Sequence, residues 1–331
     1  MKLGTFAVAT PVGEVRRIGV AHEGGVIDAT AARVALLERN LPRAAAERVG
    51  AAQVPPDMVQ ILAMGDTGMD WVREAVEAAK RDRRRATGGG QQLRYAIEEI
   101  TLLAPVPRPP GVANFSCWPA HGKAGADRGS VLKPAEEGSG ILPYWKGNPD
   151  SYVGIGHVLR PPSYAETIDV ECEFVAIVGT GGRNLSREAA KRAIAGYTIV
   201  NDTSARQRQM LEMKSGRGPA KGKDFDGGNV MGPWIVTPDE LGDVRDQRLS
   251  LVVNGQEMSS CSTAEMSWDF EEMLAYLSLE QTIHPGHVIS AGCYHRGCGL
   301  DLGLTFKPGD LIELRISGIG ALVNPVGDRA A

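Results

Sequence analysis

Asp169-Val170-Glu171-Cys172-Glu173 sets carboxylates at alternate positions along a run, Asp169 to Val178, that is otherwise apolar. In a pleated strand alternate side chains share a face, so Glu171 and Glu173 point one way while Val170, Cys172 and Phe174 point the other. Like charges held that close resist ionising together unless solvent or a cation compensates them. A hard divalent ion, Mg2+ or Ca2+, answers the repulsion by taking carboxylate and water oxygens as ligands. A solvated strand edge is the competing reading. Further along, a second β-like run, Tyr197 to Asn201, ends in Asp202. If the intervening helix returns the chain beside the first strand, the three acids form an oxygen site with positions open to a substrate.

The elements that must position these groups fall on either side of a composition break. Pro105-Val106-Pro107-Arg108-Pro109-Pro110-Gly111 fits neither helix nor central strand. It predicts a small N-terminal α+β cap over 1–105 and a catalytic domain over 106–331. The cap carries short strands at Phe6–Val8, Ile18–Val20 and Gly25–Ile27, helices over 31–49 and 67–85, and a strand at Ile100–Leu103. Downstream, abundant turn residues separate short strands, and two helices stand out. One is capped by Ser186; the other runs from Trp268 to Leu279 with Phe270, Met273, Leu274 and Leu277 at helical spacing. The pattern is α+β, mainly β, with an antiparallel or mixed sheet rather than a doubly wound one.

A chain of 331 residues that is 43% hydrophobic can bury a substantial core. Its formal net charge of -4 and lack of a basic stripe argue against nucleic acid as a partner. No apolar run reaches the length of a membrane helix, and Met1 to Phe6 lacks the apolar core of a signal peptide. Five cysteines without a repeating framework suit reduced thiols, so the expected location is the cytoplasm. Cys293, His295 and Cys298 could hold zinc by residue type, but the spacing lacks a Cys-x-x-Cys knuckle. His22, His157, His284 and His287 read as surface or turn residues.

Five ordered blocks carry a resemblance. They are Asp169 to Glu173, Gly196 to Arg206, Gly222-Lys223-Asp224-Phe225-Asp226, Met231 to Leu241, and Gly297 to Gly303. Together they resemble the signature blocks of the fumarylacetoacetate hydrolase family over roughly residues 105 to 325. The resemblance implies a mixed β-sandwich roll that binds Mg2+, Mn2+ or Ca2+ through Glu171, Glu173 and Asp202. Asn114 stands where close relatives of the eponymous hydrolase carry a ligating aspartate, seven residues before the catalytic His121. Asp301 stands where a glutamate orients that histidine. Lys223 and Gln209 match positions that hold substrate oxygens, and Arg206 and Tyr144 match positions near the substrate carboxylate or carbonyls. Gly227 and Cys293 replace threonines, which implies a substrate less dependent on hydroxyl contacts or bulkier beside Gly227. His295 rims the same pocket.

The implied activity is hydrolytic cleavage of a carbon–carbon bond in a 1,3-dicarbonyl or acylpyruvate. His121 would activate water, the cation would lower the energy of the enolate, and Lys223 with Gln209 would stabilise the oxyanion. The alternative on the same cradle is a lyase or isomerase: a 2-oxo acid decarboxylase, dehydratase or tautomerase. A non-catalytic binding homologue is a third reading. The resemblance also implies a homodimer.

Overall fold

A computed structural model describes residues 1–127, 139–216 and 218–329. Three antiparallel strands lie side by side at its centre: Ile194–Asp202, Glu171–Val178 and Val288–Cys298. Next to Ile194–Asp202 the sheet continues through Asn229–Val236, Lys2–Thr10, Gly13–His22, Gly25–Asp28 and Arg94–Ala96. Next to Val288–Cys298 it continues through Val112–Phe115, which pairs in parallel, and Tyr144–Lys146. A second sheet, of Gln256–Ser262, Arg248–Val253, Leu311–Ile316 and Gly320–Pro325, packs on one face. The class is α+β, mainly β.

Alternation along Glu171–Val178 builds this arrangement. Cys172, Phe174, Ala176 and Val178 share a core with Leu249, Leu251, Ile312 and Leu314 of the second sheet. Val175 and Ile177 share another with Ile61, Leu62, Val72 and Val76 of the N-terminal helices. The valine, leucine, isoleucine and phenylalanine side chains among them contribute about 1.5–3 kcal/mol each on leaving water, which fixes the strand's register. Glu171 and Glu173 continue the face of Val175 and Ile177. They are therefore held inside the molecule by the burial of their neighbours.

The N-terminal segment has the expected α+β content, but its strands extend the central sheet. Lys2 and Leu3 pair with Val236 and Ile235, so hydrogen bonding runs across the composition break. The helix expected over 31–49 is two, Ala29–Leu37 and Arg43–Gln53, separated at Pro42, which has no amide to continue the ladder. Ser186 caps Arg187–Ala193, and Phe270–Leu277 buries the four apolar residues predicted for it. Two further helices, Pro119–Asp127 and Arg206–Lys214, lack an apolar stripe. Among the described residues no helix is long and apolar enough to cross a membrane.

Candidate active site

Pairing of Cys172 with Asn201 sets Asp202 beside Glu171. Glu171, Glu173 and Asp202 are buried, and one carboxylate oxygen from each lies within 4.8 Å of the others. Two cations face them. Lys223 Nζ donates to Glu171 Oε2 at 2.7 Å, Asp202 Oδ2 at 2.7 Å and the Asp202 carbonyl at 3.1 Å. Arg206 Nη2 lies 2.5 Å from Glu171 Oε1, an ion contact without hydrogen-bond alignment. Three acids thus face two cations, and Asp202 Oδ1 is buried with no hydrogen-bond donor among the described residues. An all-oxygen donor set with surplus negative charge and an orphaned acceptor fits a hard divalent cation.

The electrostatics follow the same division. Burial pushes Glu171 up, but Arg206 and Lys223 outweigh it and hold the carboxyl down at about 2. Burial together with Asp202 and Glu171 pushes Glu173 well above the usual carboxylate range. Burial raises Asp202 to about 6 even though Lys223 opposes it. Cation binding needs these groups ionised, so it competes with protons. Affinity for Mg2+ or Mn2+ is expected to fall as pH drops through about 6, where Asp202 takes its proton. Without cation, Asp202 contributes the opposite slope: its folded value lies above the unfolded one, so that stability is present at low pH and lost as pH rises through about 6. Titration calorimetry between pH 5 and 8 checks this at ~1 pH steps; a flat affinity would contradict it.

Asn114 and Ser290 brace the acids. Asn114 Nδ2 donates to Glu173 Oε1 at 2.9 Å, Glu173 Oε2 at 3.0 Å and Asp202 Oδ2 at 3.1 Å. Asn114, at the position where the resemblance has a ligating aspartate, thus turns its amide nitrogen rather than its carbonyl oxygen to the acids and ties two carboxylates together, because a reversed amide would set oxygen against oxygen. Ser290 Oγ donates to Glu173 Oε2 at 2.7 Å. Tyr144 does not face the acids. In the pairing of Val112–Phe115 with Tyr144–Lys146, Asn114 opposes Trp145 and Phe115 opposes Tyr144. The Tyr144 ring stacks 5.0 Å from Phe115 on the far side, while Trp145 lies 6.0 Å from Lys223 Nζ.

His121, on Pro119–Asp127, places Nδ1 2.9 Å from Asp301 Oδ2. The same oxygen lies 3.3 Å from His295 Nδ1 and accepts the Arg296 amide at 2.9 Å. Asp301 is therefore long enough to reach His121. It does so from a short helix, Gly299–Leu302, whose first amides are tied down by Asp169, at 2.6 Å from Gly299 and 3.1 Å from Leu300. Asp169 also accepts Arg206 Nε at 2.6 Å. It links the helix that holds the imidazole to the arginine that faces the three acids, a role that the sequence did not signal. Gln209 accepts Arg206 Nη1 at 2.9 Å. Cys293 lies opposite Glu173.

Gly227 does not open room for substrate. Its φ of +69° favours glycine, and an added Cβ would stand 2.4 Å from His157 Nε2. His157, expected to be a turn residue, fills that space. The other three histidines stand outside these contacts.

Comparison with known proteins adds the following. Residues 112–327 match the family model for the fumarylacetoacetate (FAA) hydrolase C-terminal region. The mitochondrial oxaloacetate tautomerase Fahd2a of Rattus norvegicus is 27% identical over 279 residues, covering 82% of this chain and 80% of that protein. The fumarylacetoacetate hydrolase EaFAH of psychrophilic Exiguobacterium antarcticum is 26% identical with a TM-score of 0.69, over 99% of this chain and 100% of the other. Maleylpyruvate hydrolase of Sphingobium sp. SYK-6, solved with manganese(II) ion and pyruvate, shares the fold at TM-score 0.70 and 21% identity, with 100% of each chain covered.

Proposed function

This chain belongs to the fumarylacetoacetate hydrolase family, and from that premise we propose a divalent-cation-dependent enol–keto tautomerase acting on a small 2-oxo acid of the oxaloacetate type. One observation carries the choice. Hydrolysis needs a donor to a tetrahedral oxyanion, and Lys223, the expected donor, has its three protons engaged by Glu171 and Asp202. Gln209 gives its amide oxygen to Arg206 and has only its amide N–H groups left to offer. The group held in place by a partner of its own is the proton carrier, His121 on Asp301.

The chemistry divides among the residues accordingly. Glu171, Glu173 and Asp202 would hold a divalent ion, Mg2+ or Mn2+ by their oxygen donors, which would supply polarisation of the substrate oxygens and so acidify the adjacent carbon. Asp301 accepts the Nδ1 proton of His121, which fixes the tautomer and leaves Nε2 to take a proton from carbon and return it to oxygen. Protonated His121 is stabilised by the same carboxylate. Lys223 and Arg206 limit the negative charge of the acids when substrate, itself anionic, arrives.

Retro-Claisen hydrolysis of an acylpyruvate or other 1,3-dicarbonyl is the second reading. The His121–Asp301 pair favours it equally, since a held imidazole also deprotonates water. The readings separate in one assay. With Mg2+ or Mn2+, the enol absorbance of oxaloacetate is expected to decay faster on adding protein, with the ketone as sole product. Release of carbon dioxide would reassign the site to decarboxylation. Bleaching of an acylpyruvate with stoichiometric pyruvate, and none of the enol of oxaloacetate, would replace tautomerisation by hydrolysis.

A further inference from the structure

Cys293 and Cys298 stand an odd number of residues apart on one strand, a spacing that regular alternation sends to opposite faces. The pairing overrides that rule. Cys293 lies opposite Glu173 and Cys298 opposite Glu171, so the chain between the cysteines spans a single two-residue step on the neighbouring strand. The surplus is taken up by a bulge, where Arg296 adopts a φ of 68° in the left-handed region. Directly opposed residues share a face, so both thiols lie on the side of the metal acids. His121 meets them there: one ring nitrogen and the two Sγ atoms all lie within 4.8 Å of one another.

These three groups are a different donor set from the carboxylates. Imidazole and two thiols suit a soft or borderline ion with tetrahedral preference, whereas Mg2+ prefers oxygen. Ligand bonds of about 2.0–2.3 Å bring tetrahedral donors closer together than 4.8 Å, a gap that side-chain rotation can close. Asp301 accepts the Nδ1 proton of His121, the outer contact that ligating histidines commonly make. We propose that His121, Cys293 and Cys298 form a second cation site, selective for Zn2+ over Mg2+, beside the oxygen site.

Binding at that site is an exchange without redox change. Zn2+ enters, the Cys293 and Cys298 thiols lose their protons to solvent, and two thiolates with neutral His121 hold the ion, leaving a fourth position for water. The His121 nitrogen is then no longer free to carry protons. Zinc therefore inhibits a reaction that Mg2+ supports. That consequence rests on the tautomerase reading; the binding does not.

Co2+ tests the binding as a probe that needs no turnover. Reduced full-length protein is saturated with Mg2+ and titrated with Co2+. The expected result is an intense near-ultraviolet thiolate-to-cobalt charge-transfer band that saturates at one equivalent and is erased by Zn2+. The band is expected to be lost in Cys298→Ser and kept in Cys261→Ser, which alters a thiol on the second sheet. Zinc affinity should fall at least ~10–100-fold in Cys298→Ser. If wild-type protein takes up Co2+ with no charge-transfer band, or if Cys298→Ser keeps the band, the proposal is overturned. Because the readout is made without substrate, a chain that tautomerises nothing can still show the band, and an active one can lack it.

Discussion

Replacing Lys223 by methionine is expected to lower the stability of the cation-free protein by about 3–5 kcal/mol at pH 8, the cost typical of stranding one side of a buried ion pair. Lys223 is 2% exposed and pairs with two acids at once, so its removal leaves Glu171 and Asp202 facing Glu173 with Arg206 as the remaining counter-ion. The acids can escape by protonation, because their charge is the problem. The loss should therefore shrink as pH falls through about 6, where Asp202 titrates even with the lysine present. A cation bound to the native state should offset it too: at a hundredfold excess over its dissociation constant, Mg2+ or Mn2+ restores about 2.7 kcal/mol. Thermal melts of both proteins at pH 5 and pH 8, with and without cation, test the sign of each term. Equal destabilisation at both pH values would mean that the lysine acts through packing rather than charge.

That prediction depends on facts that differ in how legible they are from sequence. Glu171 and Glu173 were readable because their strand is regular: alternation alone placed them on one face, and the structure has Val170, Cys172 and Phe174 on the other. Asp202 was readable because a helix returns the chain to the neighbouring strand. The helix that carries His121 has no apolar stripe, since Pro119–Asp127 faces a polar site, so periodicity could not announce it. Tyr144 and Trp145 differ by one position, and only the register with Phe115 and Asn114 decides which faces the acids. Cys293 and Cys298 reverse their apparent parity through a bulge. The continuity of the sheet across the proline-rich break rests on Lys2 and Leu3 meeting Val236 and Ile235, a pairing between distant parts of the chain that local composition does not encode.

Exchange of His121 for alanine is expected to cut kcat by about 10²–10⁴, the range in which positioned proton transfer contributes. Affinity for Mg2+ or Mn2+ should change little, because Asp301, rather than Glu171, Glu173 or Asp202, is the carboxylate that hydrogen-bonds the imidazole. Glu173→Gln makes the converse change. It removes one negative oxygen from a cluster braced by Asn114 and Ser290: the amide oxygen keeps the Asn114 donor, the amide nitrogen has the Ser290 hydroxyl as its acceptor, and the cation loses a ligand. Activity in that variant should return as cation concentration rises, whereas in His121→Ala it should not. Calorimetric affinity and turnover on one oxo-acid substrate, measured for both variants across a cation titration, separate the two roles. Should His121→Ala retain turnover at saturating cation, proton transfer belongs to another group. His295 is then the first to replace, since it shares the Asp301 oxygen at 3.3 Å. Free imidazole added to His121→Ala gives an independent reading: partial recovery requires the space left by the ring to lie where the proton is transferred, which a purely structural role for His121 would not produce.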